Sequence, residues 1–462
     1  MFGKRSGMLE PLGHRSADSK LERYWCTVAD PQSLERHRTS VFDTDACMSM
    51  APMRYVTEPL TFRSDVPSDD WLVESLLTFV RNEFPARTSR PEPPGRPKLT
   101  HQEVGAEFLQ EFLYASEKLD QVLKPGGDSS DDVRAMATSI YRLLCDPRIG
   151  STRNRANNDP NQFVDELVET IERQSRLLFV LPGFPFKDQN RFRVPYSAEE
   201  PDLADISFLI RLHRLTQALY QVHPYGADVL ILSDGSLYAE LFKISMDSAE
   251  RYLRRIKAYR NQLNLQGTIS VIPLRDLLAR SDAQGLLPLD VASGIERRLR
   301  SLAQSTVVLK EVFADLTAGM KRNINSKLLL ADLDDDEARQ MIYSTVVPAN
   351  SALAERWYEF EALCEDAAYR YSAVNLSIRW LDVITAHFPG AIRGTVHPKP
   401  GQFALAGSGG AYAWNGVAVS NSWPRTIDDV KVSPFFALAD HSTVIRVSFD
   451  DGLPAFFMPG AG

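Results

Sequence analysis

Between Arg176 and Pro273 short apolar runs alternate with amphipathic stretches, and that alternation limits the available folds more than any other feature of the chain. Arg176 to Leu181, Ala227 to Ser233 and Thr268 to Pro273 are aliphatic runs of strand length. Between them, Leu203 to Val222 and Asp247 to Asn264 carry helical spacing, and Glu250 follows Asp247 at the interval of a capping box. Strand, helix, strand, helix, strand reads as a Rossmann-like α/β fold, a parallel sheet with right-handed crossovers flanked by helices. Open sheets of this kind bind ligands outside the carboxyl ends of their strands. Chemistry is therefore expected at Pro182 to Arg191, Ser233 to Gly235 and Leu274 to Asp276.

The flanking segments divide the chain into residues 1–100, 101–430 and 431–462. Residues 1 to 66 show no sustained period and read as a peripheral extension whose deletion should leave a folded core. Ser68 and Asp69 cap a helix ending before Pro85, and Arg87 to Pro97 is a Pro-rich, charged linker. Helices are expected over Glu103 to Leu123, over Asp131 to Cys145, and from Asp159 as N-cap through Pro160 to Glu172. Val291 to Met320 and Ala354 to His387 read as two long helices. The acidic run Asp334 to Glu337 reads as a cap and first turn favoured by the helix dipole rather than a divalent-metal site. From Ile392 onward the pattern turns to short strands, Ile392 to His397, Gln402 to Leu405, Val417 to Ser420 and Val444 to Phe449, packed on or beside the sheet.

Composition narrows the function classes. The 462 residues carry 52 Lys and Arg against 60 Asp and Glu, a net charge of −8, so no basic field invites a nucleic acid. The most apolar windows are too short for a bilayer span, and Met1 to Lys20 lacks a signal h-region, so a cytoplasmic protein without a membrane partner is expected. Cys26, Cys47, Cys145 and Cys364 are scattered and read as reduced thiols. Gly407 to Gly410 neither follows a strand nor opens a helix, as a dinucleotide fingerprint requires, and His101-Gln102-Glu103 reads as a helix start; no protein-bound metal is expected.

Two constellations remain. In Gly183 to Arg191 a Gly and two Pro stiffen a turn carrying Lys187, Asn190 and Arg191; alternatively Phe184 and Phe186 plug the core and the cations are solvated. In Arg393 to Lys399 the alternation of a strand puts Arg393, Thr395, His397 and Lys399 on one face, suited to an anion beside a proton-transferring histidine, or to a solvated edge.

The segments LPGFPFKDQN, PDLAD (Pro201 to Asp205), HPYGADVLILSDG (His223 to Gly235), AIRGTVHPKPGQ (Ala391 to Gln402) and AWNGVAV (Ala413 to Val419) together resemble the pyoverdine/dityrosine biosynthesis family, the isocyanide (isonitrile) synthases. The resemblance implies conversion of the α-amino group of an amino acid, most often aromatic, into an isocyanide. The carbon comes from ribulose 5-phosphate, and no metal or redox cofactor is required. Implied partners are those two substrates and a downstream oxygenase acting on the product. An N-formylating family member and a non-catalytic sugar-phosphate binder are the alternatives. Such chemistry needs an anion clamp and acid/base groups. Lys187, Arg191, Arg393 and Lys399 are the candidates for the clamp, and His397 for the proton shuttle. Asp202 and Asp234 would orient His397, bind the amine or act as a second base, with a helix N-cap and a D-G turn as their structural readings. Trp414 and Asn415 would wall an aromatic substrate, or Trp414 would pack in the core. Lys187 and Arg393 are expected to converge on one pocket.

Overall fold

A computed structural model describes residues 62, 67–83, 98–105, 107–109, 111–112, 132–147, 149–151, 154–279, 287–395, 401–405, 413–441, 443–449 and 451–460. Its strands are β1 (Leu99–Val104), β2 (Leu177–Gly183), β3 (Ala227–Ser233), β4 (Ile269–Pro273), β5 (Ile392–Thr395), β6 (Phe403–Ala404), β7 (Val417–Val419), β8 (Lys431–Ser433), β9 (Val444–Phe449) and β10 (Pro454–Pro459). The longer helices are α1 (Asp69–Glu83), α2 (Val133–Leu144), α3 (Pro160–Glu172), α4 (Leu203–Val222), α5 (Met246–Gln262), α6 (Pro288–Ser305), α7 (Val307–Asn323) and α8 (Ser351–Trp380), followed by the short α9 (Val383–His387).

The expected alternation forms a parallel sheet in the order β4-β3-β2-β5-β6. Its strands are apolar on both sides because helices cover both faces. Phe179, Leu181, Val229 and Ile231 meet α4 and α5, whereas Val180, Leu230 and Leu232 meet Trp380, Val383 and Ile384. Chain order runs outward from β2 to β4, then returns across the sheet to place β5 on the other side of β2. The topological switch point therefore lies between β2 and β5, and its crevice opens at their carboxyl ends. The free edge of β6 is closed by a side chain: Asn154 accepts from the Ala404 N–H at 2.8 Å and donates to its carbonyl at 3.1 Å.

The remaining strands build a second, mixed sheet in the order β1-β9-β10-β7-β8, so the C-terminal strands divide between two sheets. Helix α4 lies between the sheets and is buried almost all round; each fully buried leucine such as Leu212 contributes about 2 kcal/mol. Helices α1, α6, α7 and α8 pack around a separate core that includes Leu72, Leu299, Phe313 and Phe360.

Several local expectations need correction. Glu103 does not open a helix: it lies in β1, whose parallel pairing with β9 is set by a partner more than 300 residues away, beyond any local pattern. The cap of α5 is Ser245, whose hydroxyl accepts from Ser248 N at 3.1 Å, rather than Asp247 with Glu250. The two long helical stretches are each interrupted, the first at Thr306, where extended backbone begins a β-branched Thr-Val-Val run, and the second at Asp382, in left-handed conformation with φ 46°. Asp334 does cap its helix, with Glu337 completing the box. Of the stretch 1–66, expected to be a peripheral extension, only Phe62 is among the described residues, and it is buried against the sheet with Val180 and Leu230.

Candidate active site at the carboxyl edge of the parallel sheet

The chain leaving β2 turns sharply at Phe184, a non-glycine residue with φ 56°. Such left-handed backbone costs of order 1 kcal/mol and persists only where the surroundings demand it. Here they do. Ser233 Oγ, at the end of β3, donates to the Phe184 carbonyl at 2.9 Å, and Gly235 lies so close that a Cβ would stand 1.8 Å from the Pro185 oxygen. The glycine of Asp234-Gly235 thus serves close approach between two strand ends, a different task from an ordinary D-G turn. Asp234 occupies the N-cap position of the short helix Gly235–Tyr238, but its side chain does not cap it.

Beyond that turn Lys187 is completely buried. Its ammonium lies 2.8 Å from Asp202 Oδ1 and 2.8 Å from Asp205 Oδ2, and donates to the carbonyls of Ala413 at 2.5 Å and Gly416 at 3.2 Å. Asp202 is the N-cap of α4, accepting from Ala204 N at 2.9 Å, and Asp205 returns the capping box to Asp202 N at 2.9 Å. The structural and the charged readings of Asp202 are therefore both realised. Asp202 also accepts from the Tyr196 hydroxyl and from Ala418 N at 2.8 Å, while Asp205 accepts from the Tyr252 hydroxyl at 2.6 Å.

Electrostatics follow from this enclosure. Burial by itself would lower the Lys187 ammonium, but the two carboxylates outweigh it and hold the group above its ordinary value. Burial, together with the neighbouring Asp202 charge, pushes Asp205 up to about 6 against the pull of Lys187. Burial and the adjacent carboxylates raise both Tyr196 and Tyr252 well above the usual phenol range. The result is a continuous hydrogen-bonded chain, phenol to carboxylate to ammonium to carboxylate to phenol, beside the carboxyl edge of the sheet.

The expected convergence of Lys187 with Arg393 is not what the fold produces. Arg393 pairs in register with Val180, so its side chain belongs to the face covered by α9, where it lies 3.6 Å from Asp382. Lys187 is instead held by α4, which covers the opposite face. Burial lowers the Arg393 guanidinium despite Asp382, with Arg379 adding to the effect. Nor is Arg191 solvated: it donates to the carbonyls of Leu330 at 2.9 Å and Leu333 at 3.1 Å and pairs with Asp335 at 2.9 Å. It borders a cleft of about 190 Å³ with Pro195, Lys327 and Ala331. Phe184 and Phe186 are buried, as the core-plug reading expects.

Trp414 is buried against Gly183, where a Cβ would meet its ring at 3.0 Å, and it packs on Phe184 and Phe208. Asn415 beside it is exposed. His397 and Lys399, on the segment that follows β5, lie outside the described residues. Among the described residues no cluster of three or more His, Cys, Asp or Glu is arranged for a metal, and no helix is long and apolar enough to cross a membrane. Sequence reasoning missed Tyr196, Asp205 and Tyr252 as members of the buried network. Only Asp205 carried a signal, the three-residue spacing from Asp202 that a capping box requires.

Fold and site together define an α/β protein with a buried, hydrogen-bonded ion-pair cluster beside the carboxyl edge of a parallel sheet. The chain belongs to the pyoverdine/dityrosine biosynthesis protein family, whose model matches residues 167–402. It is 24% identical over 235 residues to an L-tyrosine isonitrile synthase of Xenorhabdus nematophila, covering 50% of this chain and 62% of that one. It is 23% identical over 240 residues to the L-tryptophan isonitrile synthase AmbI1 of Fischerella ambigua, covering 50% and 63%, and 29% identical over 131 residues to isocyanide synthase A of Aspergillus fumigatus, covering 25% and 21%. The chain thus spans less than two thirds of the length of these three relatives. The crystal structure of PvcA from Pseudomonas aeruginosa superposes with a TM-score of 0.48 at 18% identity, covering 77% of this chain and 99% of that one.

Proposed function

We propose that this protein is an isocyanide synthase acting on the α-amino group of a free amino acid, aromatic by analogy with the relatives, with ribulose 5-phosphate as the carbon source. The observation that carries the reading is the family match, which takes in all of β2 to β5 and with them Lys187, Asp202 and Asp205. In the reaction the amine adds to the C2 ketone with loss of water to give an imine. Proton removals, elimination of phosphate and cleavage of the C1–C2 and C2–C3 bonds then leave the former C2 on nitrogen, with C1 departing as formaldehyde and C3 to C5 as a three-carbon hydroxycarbonyl, so that no oxidant is needed. Proton transfer beside a strand end is the recurring demand. His397, with its ordinary pKa nearest neutrality, is proposed for that step, and Asp234, at the end of β3, as the second base or amine ligand. Lys399 is proposed to meet the phosphate or the carboxylate, and exposed Asn415 to border the amino acid.

Incubating the purified protein with single amino acids and ribulose 5-phosphate, then trapping the product with a tetrazine, tests the reading. An isocyanide adduct supports it. A formamide product would make the protein an N-formylating member, and saturable sugar-phosphate binding without turnover a non-catalytic one.

A further inference from the structure

Lys187 has three ammonium protons, and four oxygens already surround it at 2.5 to 3.2 Å. No proton is left over for a substrate phosphate or carboxylate, and the side chain is wholly out of contact with solvent. Two of those four oxygens are carbonyls from one short segment, Ala413 and Gly416, which bracket Trp414 and Asn415. The same segment is held twice more from the same loop and helix start: the Asp188 N–H donates to the Trp414 carbonyl at 2.8 Å, and Ala418 N donates to Asp202 Oδ2 at 2.8 Å. Residues 413 to 418 are thus fastened by four hydrogen bonds to Lys187, Asp188 and Asp202, and each belongs to the chain that leaves β2 or opens α4.

The geometry points to Lys187 and Asp202 as positioning residues that clamp the Trp414–Asn415 turn over the carboxyl end of β2. An ion pair is suited to this task. Backbone carbonyls and an N–H at the end of a sheet need buried partners, and a lysine flanked by two carboxylates supplies a donor and an acceptor whose positions are fixed by helix α4. Asp205 and the hydroxyls of Tyr196 and Tyr252 complete the clamp by satisfying the remaining lone pairs of the carboxylates. The kinetic part of this inference rests on the function proposed above; the structural part does not.

The test uses the full chain with Asp202→Asn and with Lys187→Met/Asp202→Asn/Asp205→Asn, which removes all three charges at similar volume. Asp202→Asn is isosteric, but its amide must turn a donor toward either Lys187 and Ala204 N, which only donate, or Tyr196 and Ala418, where the hydroxyl can accept but the Ala418 N–H cannot. Hydrogen exchange followed by mass spectrometry should show faster exchange confined to 413–418 while the parallel sheet keeps its protection. A general loss of stability would raise exchange throughout. Steady-state kinetics should show the KM for the amino acid raised by about tenfold or more, with kcat reduced by less than about threefold. Unchanged exchange at 413–418 in the folded variants overturns the clamp. Faster exchange there in variants whose KM and kcat equal those of a wild type that does form isocyanide overturns its role in substrate positioning. A wild type that forms no isocyanide instead removes the proposed function and leaves the exchange result to decide the clamp.

Discussion

Lys187 Nζ and Asp205 Oδ2 stand 2.8 Å apart, both wholly removed from solvent, at the point where the chain leaving β2 meets the first turn of α4. Asp205 has an ordinary value of 3.8 and is pushed up to about 6 in the folded protein. Between those values the native protein holds a proton that the unfolded chain has released, so this group's effect is to lower stability as pH rises through that window. The Lys187 contribution has the opposite range: its pKa is raised, so its stabilisation is complete below the ordinary lysine value and is lost only as pH climbs through the native one. Asp205→Asn should therefore flatten the fall in stability from about pH 4 to about pH 6, as read from urea midpoints. Parallel curves for the two proteins would show that Asp205 does not titrate there.

Gly235→Ala should be among the most damaging single-methyl changes in the molecule. The added carbon would sit 1.8 Å from the Pro185 carbonyl oxygen, which belongs to the rigid Pro-Gly-Phe-Pro turn and has little room to retreat. A loss of about 3 kcal/mol is expected, in line with overpacking where the backbone itself must shift. A melting temperature equal to that of the wild type would mean that the two strand ends are less tightly joined than their geometry indicates.

Asn154 is buried and makes three bonds through its amide, to the Leu144 carbonyl at 2.6 Å and to the Ala404 carbonyl and N–H. Asn154→Ala strips both Ala404 backbone groups of their side-chain partner at the edge of the parallel sheet, whereas the Leu144 carbonyl keeps the Ser151 N–H at 3.0 Å, and chemical denaturation should register a loss of about 2 to 3 kcal/mol. Amide exchange at Ala404 should quicken, while β3 and β4 on the far side keep their protection. Equal quickening across all five strands would instead mark a global effect.

Phe62→Ala tests the anchor that this side chain makes on the parallel sheet. Buried with Val180, Leu230 and Val383, its truncation should cost about 3 kcal/mol or somewhat more, the usual range for a core phenylalanine. A neutral substitution, read from urea midpoints, would mean that Phe62 adds little to the core despite its burial.

His397→Ala should lower turnover by about 100-fold or more while changing the KM values only slightly, as expected for a general acid/base rather than a binding group. Arg393→Ala should leave both parameters nearly unchanged, because its side chain lies on the α9 face beside Asp382. Normal turnover in His397→Ala would sink its assignment as the proton shuttle, and a large loss in Arg393→Ala would bring the Arg393–Asp382 pair into the chemistry.

Sequence by itself determined what depends on near neighbours. The aliphatic runs of β2, β3 and β4, the caps at Asp159, Asp202 and Asp334, and the motif set that places the chain in its family are all local patterns, and each depends on residues a turn or a strand apart. Tertiary structure alone decided which distant pieces meet. It paired β1 with β9, placed α4 between two sheets, enclosed Lys187 between Asp202 and Asp205, and turned Arg393 to the opposite face. The physical reason is that period and capping are properties of a segment. Register and the partner of a buried charge are set by whichever segment the fold brings alongside, and a one-residue change of register reverses every face.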